Sequence, residues 1–249
     1  VSGNLKGQGF RRLLLVAGCW LVVVNGLFGQ AIGDYGSASA GPNNWSNPAS
    51  WIVCVANGTW AGATPAPAFP ANPTHVWIRS GHTMVLDGFT RTCNNLTVET
   101  TGLLNGAQRI YISGNLVVNG TVNTTGQIRL IGNSVDGSGS ITSSVPFRIY
   151  TSNKTIQATA SLTFNCDIQF RRINLTITNN GLVTINGSIT ASGGVTGCIW
   201  TNSANSYLGI SANIAAAVAL NASGLGNTVE YLGGGLQSIK VPATSYYHL

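Results

Sequence analysis

Between Val98 and Asn133 an aliphatic residue leads every sixth position, at Val98, Leu104, Ile110, Leu116, Val122 and Ile128. The fifth place after each leader reads Gly102, Gln108, Gly114, Gly120, Gly126 and Gly132, and third places add Ile112, Val118 and Leu130. Apolar-x-apolar triplets of this kind predict short strands with alternate side chains on one face. The glycines between them predict bends that take a positive φ. A short period that keeps presenting the same apolar position predicts a coiled sheet, with about eighteen residues to a turn.

The tempo changes further along. Ile156, Ala158, Ala160, Leu162, Phe164, Cys166, Ile168 and Phe170 alternate strictly with Gln157, Thr159, Ser161, Thr163, Asn165, Asp167, Gln169 and Arg171. Period two with one apolar face predicts half-buried strand, here long enough to bend across two faces of the coil. The six-residue beat then returns at Ile177, Val183, Ile189 and Val195. Asn174–Val183 lines up, position for position, with Asn95–Leu104. An internal repeat of that kind predicts a stacked architecture.

The fold class expected is therefore all-β: a single-stranded parallel β-helix of eight to eleven rungs. The left-handed triangular form places a small or acidic residue after each leader. This chain has Tyr111, Val117, Asn123 and Arg129 there, and its longer arms at 145–173 fit a right-handed coil better. Ala212–Leu220, rich in alanine, reads as a short helical turn.

Composition adds location rather than chemistry. Only 7% of the 249 residues are charged, and 44% are hydrophobic. The formal charge of +6 falls to +3 once the first 30 or so residues are set aside, since Lys6, Arg11 and Arg12 precede every acid. That is too little and too dispersed for a nucleic-acid partner. Residues 1–31 read as a signal peptide: a basic start, the apolar run Leu13–Phe28, then Gly29-Gln30-Ala31 as a small-residue cleavage site. Val16-Ala17-Gly18-Cys19 offers the alternative of a lipoprotein box, and an uncleaved anchor is a third reading. With export, no membrane span remains in the mature chain.

Residues 32–94 differ in composition, with Trp45, Trp51, Trp60 and Trp77 and a proline-rich loop from Pro65 to Pro73. Two readings compete for Trp45, Trp51 and Trp77: a sugar-stacking platform, or a plug that closes the first rung against water. The opening Trp45-Ser46-Asn47-Pro48-Ala49-Ser50-Trp51, the segment Val76 to Leu86 around Gly81-His82, and Asn95-Leu96-Thr97-Val98 resemble the N-terminal part of secreted glycine-rich β-helix domains. These domains occur in large surface proteins of Gram-negative bacteria. Val229-Glu230-Tyr231 through Gln237 and Ile239 to Tyr246-Tyr247 resembles the same group. The resemblance covers most of residues 41–249. It implies an adhesin-like or matrix role, with residues 95–249 a run of repeats that continues downstream.

Candidate chemistry is sparse. Cys54, Cys93, Cys166 and Cys198 are an even set, and three pairings are open; Cys54–Cys93 and Cys166–Cys198 would each staple a long arm locally. Cys166 also fits a buried free thiol. No C-x-x-C spacing is present, so no metal site and no cofactor are expected. Asp167, Gln169 and Arg171 share the outward face of one alternating strand and form the one candidate polar trio. A β-helix polysaccharide lyase or hydrolase would need a second carboxylate facing the same cleft. His75 and His82 flank a turn without the partners of a triad. The expectation is a non-catalytic, secreted or surface segment whose partner is polysaccharide or a neighbouring cell surface. A lyase or hydrolase, or a carbohydrate-binding module, is the alternative.

Overall fold

The computed structural model describes residues 30–56, 58–61 and 75–249. The leader segment, Cys19 and the proline loop fall outside these residues. Twenty-six short strands form three sheets that run the length of a β-solenoid of about seven turns. Sheet A holds Val76–Ile78, Leu96–Val98, Leu116–Val118, Ser134–Asp136, Lys154–Ile156, Thr176–Asn179, Cys198–Asn202 and Val218–Asn221 in parallel order. Sheet B stacks Thr83–Leu86, Leu103–Gly106, Thr121–Thr124, Ser140–Ser143, Ser161–Asn165, Leu182–Ile185, Tyr207–Ile210 and Thr228–Tyr231. Sheet C is Arg91–Cys93, Ile110–Ile112, Ile128–Leu130, Phe147–Ile149, Ile168–Phe170 and Ile189–Ala191.

Each predicted leader from Val98 to Ile128 points inward and is at most 3% exposed. They stack in columns one rung apart: Leu104, Val122, Ile141, Phe164 and Ile185 on sheet B, and Ile110, Ile128, Phe147, Ile168 and Ile189 on sheet C. Burying one such side chain is worth about 1.5–3 kcal/mol, so the columns are the main source of cohesion. The alternating segment 156–171 bends across all three walls, as Lys154–Ile156, Ser161–Asn165 and Ile168–Phe170. Ala158 alone leaves the pattern, exposed at the first corner.

The corner glycines have a different cause from the one expected. Gly102, Gly114, Gly120, Gly126 and Gly132 all have ordinary backbone angles. What they provide is room, because the corners stack backbone on backbone. A Cβ at Gly132 would sit 1.6 Å from Gly114 O, and one at Gly126 would sit 2.0 Å from Gln108 O.

Turns from Ile141 onward are longer than those before it. The circuit from Leu104 to its sheet B neighbour Val122 is shorter than the later one from Val183 to Leu208. Most of the surplus goes into corners. Only Ser113, Gly114 and Asn115 lie between the strands ending at Ile112 and starting at Leu116, whereas the corner between Ala191 and Cys198 takes in all of 192–197. Longer arms are one reason that fewer rungs form than the eight to eleven expected. The segment expected as a helical turn is instead the end of sheet A, at Val218–Asn221. A 3₁₀ turn at Pro48–Ser50 is the one regular helix among the described residues.

The N-terminal end is built differently. Trp51–Ala56 pairs antiparallel with both Tyr35–Ser37 and Thr59–Ala61, the sole antiparallel ladders among the described residues. Parallel stacking already includes Tyr35–Ser37, which pairs with Val76–Ile78, and Pro42–Asn44, which pairs with Thr83–Leu86; Val76–Ile78 pairs in turn with Leu96–Val98. A full turn of the coil thus precedes residue 95.

Candidate functional site

The tryptophans divide between inside and rim. Trp45 and Trp51 are 0% and 2% exposed. Their rings meet edge to face at 4.9 Å and 76°, and Trp51 Nε1 donates to Trp45 O at 2.8 Å. Neither offers a face to a sugar; together they plug the first turn beneath the antiparallel strands. Trp77 lies at the rim, half-buried, stacked on His75 at 4.6 Å, with its Nε1 directed at Asp34 Oδ2. His75 is also 3.8 Å from that carboxylate; burial lowers its pKa and outweighs the raising effect of Asp34. His82 is held by Ser37 Oγ through Nδ1 at 2.8 Å. Both histidines are fastened to the cap.

The disulfide expectation is corrected: Cys54, Cys93, Cys166 and Cys198 are all free and buried. Cys54 lies in the antiparallel cap of sheet A, whereas Cys93 faces the core from sheet C. Cys166 occupies a corner between sheets B and C, and Cys198 begins a strand of sheet A. The expected partners sit on different walls, each thiol already packed. Burial raises the Cys93 thiol well above its ordinary range and pushes Cys166 up to about 11.

Of the trio, Gln169 and Arg171 come together, with Arg171 Nη1 3.5 Å from Gln169 Oε1. Asp167 has a separate task, accepting Ser188 N at 2.7 Å and tying one rung to the next.

The arrangement around that pair was not visible as a site in the sequence. Outward positions on sheet C run Tyr111, Arg129, Arg148 and Gln169, each one rung from the last. Beside them, Arg171 follows the Gln169 strand as Tyr150 follows the Arg148 strand. The Arg129 guanidinium lies 4.5 Å from the Tyr111 ring centre and 5.0 Å from that of Tyr150, and its Nε donates to Gln127 Oε1. Burial raises the Tyr150 phenol, but hydrogen bonding from Arg171, with the charges of Arg129 and Arg171, brings it below its ordinary value. The two ion pairs among the described residues, His75–Asp34 and Arg91–Asp87, lie elsewhere.

Sheet B presents a neutral ladder instead. Asn165 Nδ2 donates to Thr142 Oγ1 at 3.0 Å, Asn186 Nδ2 to Asn165 Oδ1 at 2.8 Å, and Ser211 Oγ to Asn186 Oδ1 at 3.1 Å. All three bonds are exposed and join successive rungs.

Two interior features also escaped sequence reading. Lys154, 1% exposed, takes an inward place on sheet A opposite Ile177. Its ammonium donates to the carbonyls of Ile131, Tyr150 and Ser152 at 3.1, 2.8 and 2.7 Å and to Ser152 Oγ at 2.9 Å. Burial brings its pKa down to about 8. Asn179 and Asn202 continue the buried column that Leu96, Leu116, Val135 and Ile156 begin.

A groove of about 390 Å³ between sheet A and the C-terminal segment is lined mainly by alanine and aliphatic residues. Its charged member, Lys240, already donates to Ala215 O and Ala216 O at 3.2 Å. Among the described residues no cluster of three His, Cys, Asp or Glu side chains forms a metal site, and no helix is long and apolar enough to cross a membrane. Protein-family models, curated protein sequences and solved structures yielded no match to this chain.

Proposed function

We propose that the chain is a non-catalytic, exported β-helix segment of an adhesin-like or extracellular matrix protein. Its work is mechanical and interfacial. Stacked parallel strands with backbone-on-backbone corners make a stiff rod, and the rod displays side chains at a rung spacing of about 4.8 Å. The observation that carries the reading is the exposed ladder of Thr142, Asn165, Asn186 and Ser211, hydrogen-bonded from rung to rung. Such a row offers neutral donors and acceptors in a fixed array, which suits the hydroxyl-rich surface of a polysaccharide. The resemblance over residues 41–249 to glycine-rich surface domains supports the same location.

The test is adsorption of the full 249-residue chain to insoluble neutral polysaccharides. Binding that weakens in Asn165→Lys and Asn186→Lys supports the reading; binding indifferent to both overturns it. New reducing ends or unsaturated sugar products during incubation would overturn the non-catalytic part. Export is tested by fusing residues 1–31 to a reporter and locating it in the secreted or surface fraction.

A further inference from the structure

We infer that the outward face of sheet C is a binding site for an acidic polysaccharide, a chain bearing carboxylate groups, with Arg129, Arg148 and Arg171 as the anion contacts. The inference goes beyond the neutral ladder of sheet B and takes from that reading only the extracellular location.

The first argument is charge. Nine basic residues are spread over positions 31–249, yet three of them meet on this one face within three consecutive strands. None of the three belongs to either ion pair of the described residues. A guanidinium carries five N–H donors in a fork that fits a carboxylate in two-point fashion. The neutral acceptors nearby, Gln127 for Arg129, Gln169 for Arg171 and the Tyr150 hydroxyl for Arg148 and Arg171, take only a few of these donors. Most of the donor capacity of the face is left for a ligand.

The second argument is pre-organisation. Arg129 is held between the Tyr111 and Tyr150 rings, and Tyr150 in turn draws Arg171 toward its hydroxyl. A guanidinium restrained before contact loses less side-chain entropy on binding. The tyrosines add apolar edges against which a pyranose ring can pack.

The third argument is spacing. Arg129 and Arg148 are register neighbours on adjacent rungs, and Arg171 follows on the next. Arg129 and Arg148 therefore stand about 4.8 Å apart along the axis, close to the advance of one sugar unit in an extended uronate chain, and Arg171 lies one rung on and two residues further along the chain. A nucleic acid is a poorer fit: a strand binder uses aromatic faces open for base stacking along a longer basic track. Here Arg129 already covers both tyrosine rings.

The probe is polygalacturonate, added to the full chain, with neutral dextran and duplex DNA at the same salt concentration as comparators. The expected result is saturable binding to polygalacturonate that weakens with added salt. Affinity should fall about tenfold or more in Arg129→Gln/Arg171→Gln, the loss of two charge-assisted contacts. Arg79→Gln removes one charge at the cap and should stay within about twofold of the parent. Arg171→Lys keeps the charge, loses the fork, and should fall between the two, which separates recognition from net charge. Retained β-sheet circular dichroism and melting midpoint accompany each variant. Should the double variant fail to fold, Arg148→Gln and Arg171→Lys carry the test. No polyuronate binding, an equal loss in Arg79→Gln, or equally tight DNA binding each overturns the inference. Adsorption to neutral polysaccharide through Asn165 and Asn186 would survive any of these outcomes.

Discussion

Asn179 donates its side-chain amide to Asn202 Oδ1 across 3.1 Å, and both residues are 0% exposed. The same Asn179 amide reaches Tyr207 O at 2.9 Å, its Oδ1 accepts Gly181 N at 3.1 Å, and Asn202 Oδ1 also takes Trp200 Nε1 at 3.0 Å. A buried column that begins as aliphatic thus ends as a polar seam joining sheet A to sheet B.

Replacing Asn202 with leucine strands Trp200 Nε1 and Thr228 O, and a buried orphan costs about 1–3 kcal/mol. Asn202→Leu should lower stability by roughly 2–3 kcal/mol in urea titrations on that basis. The double replacement with Asn179→Leu should lose less than the sum of the single losses, because the two share a bond. Strict additivity would show the seam to be two independent contacts.

Lys154 gives a pH signature. Its folded pKa is lowered to about 8 from 10.5, so between those values the unfolded chain binds more protons than the folded one. Stability from this group therefore rises with pH across that window, by roughly 1–3 kcal/mol. The raised thiols of Cys93 and Cys166 act in the opposite sense, so the quantity to measure is the difference from Lys154→Met. That variant should lose about 1–2 kcal/mol near neutral pH, having left Ser152 O without its donor, and should lack the rise. Parallel pH profiles would rule out the assignment.

Two glycines of the coil should answer the same substitution in opposite ways. Gly132→Ala drives a Cβ into Gly114 O and should cost about 3 kcal/mol or more, with a displaced corner. Gly193 has nothing within 4 Å of its Cβ position and an unremarkable φ. Gly193→Ala should therefore be neutral or stabilise by about 0.4–1 kcal/mol, through the unfolded chain. Melting midpoints of the pair check both.

Free buried cysteines predict that a reducing agent leaves the melting midpoint unchanged. Thiol reagents should label Cys54, Cys93, Cys166 and Cys198 slowly in the folded chain and all four at once in denaturant. A mobility shift on reduction assigned by peptide mapping to Cys54–Cys93 or Cys166–Cys198 would contradict the structure.

The walls were readable because burial on a strand repeats with period two, and each hexad carries that signal round one corner to the next wall. The step from Asn95–Leu104 to its repeat at Asn174–Val183 equals four turns of sheet C, where Ile110 leads to Ile189 through Ile128, Phe147 and Ile168. On sheet B the column from Leu104 arrives at Ile185 rather than at Val183, its partner in the sequence alignment. On sheet A the column from Leu96 arrives at Asn179 rather than at Leu175. The walls drift apart because each corner adds residues of its own. Arg129 and Arg148 become neighbours only when the length of the turn between them is known. Arg171 and Tyr150 need the next turn as well. Lys154 and Asn179 were hidden for another reason: polar residues at inward places contradict the binary pattern, and only a carbonyl cage or an amide partner explains them. The corner glycines were found by position but assigned the wrong steric reason, since close approach between turns leaves no trace in a single turn.

The lengthening of the turns separates two kinds of inheritance. Between the short circuit that starts at Leu104 and the long one that starts at Val183, the strands in contact keep their register while the corners absorb most of the difference, the rest going into the longer strand Cys198–Asn202. Entropy of closure rises only slowly with the length of such a lobe. Insertions at 192–197 can therefore alter the outline of the rod without disturbing its interior, and a lineage of such rods is free to vary its silhouette while conserving its spine.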